Sequence, residues 1–216
     1  MEPQRINQKY LIKEISGVFN LEKGFFYTLK ELVVRPGQSI QEFLYVDRNR
    51  MVKPVIFLIF CTLILTWTHQ IFDVDLGNLK GELENLNEGV KSTIKWFQTF
   101  EGLNIILRGL FIGFATKLFF WKSRFNIYEI FVLIFYVTGM VNLIFAIVHI
   151  FESLYGTING NISLFIGLAY SIWALGNFFN QKKTISYFKG GLAYFLGMAA
   201  NYVFIISIGN LINIFI

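Results

Sequence analysis

The stretch that most constrains this chain runs from Arg48 to Phe72, RNRMVKPVIFLIFCTLILTWTHQIF. Arg48, Arg50 and Lys53 crowd its front, Pro54 follows, and no Lys, Arg, Asp or Glu intervenes before Asp73. The 18 residues from Pro54 to Ile71 suffice to cross a hydrocarbon core of ~30 Å at ~1.5 Å per residue. Proline at the first helical turn is harmless, because the N–H it lacks would be unpaired there. Every other segment is threaded relative to this span.

Four further runs read the same way: about 102–120, 127–151, 162–179 and 190–215. Charged residues make up 15% of the chain, against ~25% in a soluble domain, so the apolar excess needs lipid as its solvent. The predicted fold is all-α: a polytopic, five-span transmembrane domain over 54–216, preceded by an amphipathic helical arm over 1–53.

Within the arm, Ile6, Tyr10, Leu11, Ile15, Val18 and Phe19 fall near helical spacing, as do Phe25, Phe26, Leu29, Leu32 and Val33. Arg35, Pro36 and Gly37 are read as the stop of that second helix. Ser39 is read as the cap of a third, with Glu42 completing a capping box. Lying along the lipid interface would bury these faces; a small soluble helical subdomain is the competing reading. Between the first two spans, Leu76, Leu79, Leu83, Leu86, Val90, Ile94 and Phe97 predict one external amphipathic helix over about 76–100.

The net charge of +5 raises the question of nucleic acid, but the placement of the cations answers it. Of the 19 Lys and Arg, fifteen fall in the arm and in the loops after spans two and four; three, Lys80, Lys91 and Lys95, fall on the other side; Arg108 lies within a span. That asymmetry puts the N-terminus in the cytoplasm and the C-terminus outside. Such cations meet anionic lipid, not nucleic acid. Reporter fusions at Asn159 and Ile216 should read external and one at Lys183 internal; a cytoplasmic C-terminus would sink this orientation.

Candidates for chemistry are few. Arg108 costs ~2.5–3.5 kcal/mol near a span centre, and either snorkels to the nearer, outer end or faces the bundle as a functional group. Lys117 and Glu129 end span two and start span three, so an ion pair is expected between them; a proton-relay carboxylate is the alternative. His69 and His149 end their spans on the outer side, where with Glu152 or Glu101 they could form a metal site, against the plainer reading of interfacial histidines. Cys61 reads as a small apolar filler. Gly109-x-x-x-Gly113 and Ala193-x-x-x-Gly197 permit close helix contact. No nucleophile–base pair can be assembled, so no enzyme activity and no cofactor are expected.

EKGFFYTLKELVVRPGQSIQEFL followed by RNRMVKPVIFLI resembles the bacterial domain-of-unknown-function family 3667. The matching positions are Gly24, Phe25, Thr28, Leu29, Leu32, Pro36, Gly37, Arg48, Arg50, Lys53 and Pro54; Tyr128 and Glu129 match an aromatic–Glu opening of the third span. The Cys-x-x-Cys zinc ribbon of many members is missing, and Val46-Asp47 stands where a glycine is usual. The resemblance implies a bacterial inner membrane and no known activity. The five-span layout is also similar to Yip-type proteins of vesicle traffic, an analogy that transfers no function. Two functions compete. One is a non-enzymatic membrane scaffold that binds lipid, a partner protein or a second copy through its arm. The other is a small transporter or channel subunit with a polar path near Arg108 and Glu129.

Overall fold

A computed structural model of the chain describes residues 24–72, 86–155, 161–180 and 183–215; these are helical apart from short turns, with no strand among them. The helices are α1 (24–34), α2 (Pro36–Tyr45), α3 (Pro54–Ile71), α4 (Glu88–Thr99), α5 (Glu101–Phe119), α6 (Ile127–Tyr155), α7 (Asn161–Asn180) and α8 (Thr184–Phe215). Five of them, α3, α5, α6, α7 and α8, are long and apolar enough to cross a membrane. The helix expected over 6–19 lies outside the described residues.

The hub is α6. Of its most apolar stretch 61% is buried, against 22–39% in the other four long helices, and α3, α5 and α7 all pack on it. Contacts such as Phe57 with Gly139 and Thr62 with Asn142 show α3 running parallel to α6. Helix α8 closes the bundle against α5 and α7. A Cβ on Gly197 would lie 2.4 Å from the Cα of Ile112, so the Ala193-x-x-x-Gly197 motif is where α8 and α5 meet backbone to backbone.

One end of the bundle, here termed proximal, carries α1 and α2. The core is continuous from these helices into the spans: Leu32, Ile40 and Phe43 share it with Phe57, Leu133, Tyr136 and Phe178. Polar stitches reinforce it. The Val52 N–H donates to Thr28 Oγ1 (2.9 Å), Tyr136 Oη donates to the Val52 carbonyl (2.6 Å), Tyr170 Oη to the Leu32 carbonyl (3.1 Å), and Gln41 Nε2 to the Phe178 carbonyl (2.6 Å). Phe25 rests on the rings of Phe57 and Phe60. On the outer side of α1, Phe26, Val33 and Val34 are exposed.

Several boundaries differ from expectation. Arg35 to Gly37 do not form a gap followed by a Ser39 cap. Pro36 is the first residue of α2, where its fixed φ suits a helix start. Ser39 is therefore inside the helix and buried, and it makes no capping box with Glu42. Such a box forms at α6 instead: Asn126 Oδ1 accepts from the Glu129 N–H (2.9 Å) and Glu129 Oε2 accepts from the Asn126 N–H (2.8 Å).

The external helix is shorter than 76–100. Asn87 caps α4, its side chain accepting from the Val90 N–H at 2.9 Å, so the helix starts at Glu88; residues 73–85 lie outside the described residues. Val90, Ile94 and Phe97 of α4 pack with Ile205 of α8. The last span starts at Thr184, not at 190, which places Lys189 in its second turn. The third continues past Phe151 to Tyr155.

Candidate functional site

At the distal end, α3, α5 and α6 bring ionisable side chains together. His69 comes from the last turn of α3, Glu101 from the first turn of α5, and His149 from the buried face of α6. His69 Nε2 lies 3.1 Å from His149 Nδ1, and His69 Nδ1 lies 3.3 Å from Glu101 Oε1. The first contact is a hydrogen bond whose donor is set by the tautomer. The second is an electrostatic contact without hydrogen-bond alignment. Thr66 Oγ1 donates to Glu101 Oε2 at 3.2 Å. The side chains of His69 and Glu101 are 10% and 20% exposed, and His149 is 8% exposed.

Arg108 follows Glu101 by two helical turns on the same face, close enough to act on its charge. Glu152 lies one turn beyond His149 and is also buried. Four buried polar atoms in this region have no hydrogen-bond partner among the described residues: His69 Nδ1, Asn104 Oδ1, Arg108 Nε and Glu152 Oε1. Buried groups are normally satisfied, so this end is organised around polarity rather than packing alone. Among the described residues no group of three or more His, Cys, Asp or Glu is arranged to hold a metal ion.

The ion pair expected between Lys117 and Glu129 is not made. Lys117 Nζ instead donates to the Phe125 carbonyl at 2.8 Å, and Glu129 Oε1 accepts from Tyr45 Oη at 2.8 Å. The turn between α5 and α6 is short, so the nearest acceptor for the lysine is its own backbone, while α2 delivers Tyr45 to the carboxylate. Burial and that hydrogen bond to Glu129 push the Tyr45 phenol up from its ordinary pKa. Glu129 thus caps α6 and anchors α2, at the opposite end of the bundle from Arg108.

The remaining interface-motif residues form a second network. Arg35 Nε donates to Glu31 Oε2 (2.7 Å) and Arg35 Nη1 to Glu42 Oε1 (2.9 Å), while Ser39 Oγ donates to Glu31 Oε2 (2.7 Å). Burial works against the Glu31 charge, yet the Ser39 and Arg35 hydrogen bonds hold its carboxyl below the ordinary carboxylate range. Arg50 reaches Glu42 at 3.9 Å and sits over the Tyr27 ring, 5.4 Å from its centroid. Arg48 donates to the Leu44 carbonyl, Lys53 precedes α3 as its N-cap, and Pro54 opens it. Sequence spacing pointed to these positions but not to the partners, because Arg35 and Glu42 come together only through the angle between α1 and α2.

This architecture is that of a multi-pass helical membrane protein. Residues 22–66, which hold this network, Gly37 and most of the first span, match a family described as protein of unknown function (DUF3667). Neither the curated proteins nor the solved structures return a match to the chain.

Proposed function

We propose that the protein is a non-enzymatic membrane scaffold whose ligand is membrane lipid, bound at the proximal face. One observation carries this reading. Each described acid of that end has an internal partner: Glu31 and Glu42 with Arg35, Asp47 with the Asn49 N–H, and Glu129 with Tyr45. Lys30, Arg48, Arg50, Lys53, Lys122, Arg124, Lys183 and Lys189 meanwhile stay exposed. The outward charge is positive, and the apolar residues Phe26, Val33 and Val34 beside it suit an interfacial position. The cation asymmetry of the sequence supports a cytoplasmic proximal face and an external C-terminus, and the family resemblance supports a bacterial inner membrane. A partner protein or a second copy of the chain would use the same face.

The purified chain should be stabilised by phosphatidylglycerol over phosphatidylcholine, with salt eroding the difference. A lipid present at 100 times its Kd contributes ~2.7 kcal/mol, a Tm rise of roughly 5–10 °C for a chain of this size. Equal Tm values in the two lipids would end this reading.

A transporter or channel subunit is the second reading, and the buried Arg108 Nε and Glu152 Oε1, without a hydrogen-bond partner among the described residues, favour it. Under that reading Glu129 is not part of the path, since it is engaged in capping α6.

A further inference from the structure

We infer that the proximal cleft between the α5–α6 turn and the first two turns of α8 is a binding site for the headgroup of an anionic phospholipid. The inference rests on the lipid-binding reading above and gives it a place. The cleft is lined by Lys122 from the turn, by Lys183 just before α8, and by Lys189 one turn and a half into it; among the described residues no acid lines it. Its wall includes the rings of Phe120 and Phe179, stacked at 3.7 Å between centroids and 3° between planes. The stack sets the end of α5 against the end of α7, and the three lysines border the gap beside it. The gap is about 800 Å³, within the ~300–1,000 Å³ of small-molecule sites.

The lining lysines suit a phosphate, since each ammonium is a point charge with three donors. The first turn of α8 contributes Ile185 and Ser186 to the same cleft, and the N–H groups of a helix's first turn carry partial positive charge toward an anion. Three lysines and a helix start thus border one space.

What separates a lipid from a free anion is the apolar border. Leu118 and Trp121, 74% and 70% exposed, line the cleft, and Ile185 and Phe188 stand exposed on the first turns of α8. These side chains flank membrane-spanning helices and belong at the depth of the upper acyl chains, where tryptophan is favoured. A phosphate held by the lysines would carry its acyl chains down along this apolar border. Basic clefts between spanning helices are the form that headgroup sites take.

The test is native mass spectrometry of the full chain in detergent, titrated with phosphatidylglycerol, phosphatidylcholine or inorganic phosphate. Wild type should retain phosphatidylglycerol preferentially, and Lys122→Gln/Lys183→Gln/Lys189→Gln should weaken it by roughly 100-fold, from ~1 kcal/mol per cation. Lys91→Gln/Lys95→Gln, which removes cations of α4 at the distal end, should change it less than about threefold, because the pull of a charge fades beyond a Debye length. The triple variant should melt with wild type when no lipid is added, which separates lost binding from lost folding. If wild type prefers phosphatidylglycerol but the triple variant and the control lose it equally, the cleft is not the site. Displacement of the lipid by millimolar phosphate would show a free-anion site and overturn the lipid assignment. No preference for phosphatidylglycerol in wild type would overturn the broader reading as well.

Discussion

Replacing Gly37 by alanine should unseat α2 from the bundle. A Cβ at this position would lie 2.4 Å from the Asn177 carbonyl carbon and the Phe178 nitrogen, and 2.6 Å from the Asn177 oxygen. All three are backbone atoms of α7, so no side chain can swing aside; one helix must move as a body. Overpacking of this kind costs ~1–3 kcal/mol and occasionally more, and this site belongs at the upper end. The displacement also stretches the 2.6 Å bond from Gln41 to the Phe178 carbonyl and disturbs the burial of Ile40 and Phe43. Gly24→Ala is the matched control, because its nearest neighbour is a Val52 methyl at an ordinary 3.5 Å. In detergent, Gly37→Ala should melt roughly 6–12 °C below wild type, the equivalent of ~3 kcal/mol. It should also be cleaved faster by trypsin at Lys30 and Arg48. A melting point within a degree of wild type would mean that α2 is held some other way.

The five spans are legible in the sequence because each is a long, predominantly apolar run, a signal that bilayer thickness imposes directly. Shorter decisions were less legible. Whether Pro36 ends one helix or starts the next depends on what receives Gly37, and that receiver is the α7 backbone some 140 residues away in the chain. Lys117 and Glu129 lie at the same end of the bundle, yet that does not select a partner when a carbonyl and a tyrosine are nearer. The histidines, Glu101 and Glu152 were visible as residues of one side. Their grouping needed the parallel course of α3 and α6, which aligns His69 with His149 as it aligns Thr62 with Asn142. In the sequence the cleft lysines mark orientation alone, since the Phe120–Phe179 stack beside them joins the ends of α5 and α7, far apart in the chain.

The distal histidines should be energetically coupled. With 3.1 Å between His69 Nε2 and His149 Nδ1, one nitrogen must donate and the other accept. His149→Leu leaves His69 Nε2 buried without that partner, at a cost of ~1–3 kcal/mol. His69→Leu removes the same bond and also the 3.3 Å contact with Glu101, whose Oε2 keeps the Thr66 hydroxyl. The two losses overlap in the bond the histidines share, so they should not add. A double-mutant cycle between His69→Leu and His149→Leu should give a coupling of ~0.5–3 kcal/mol. Thermal melts of the four proteins measure this. Strict additivity would reduce the pair to packing and remove the main support for a polar role at this end.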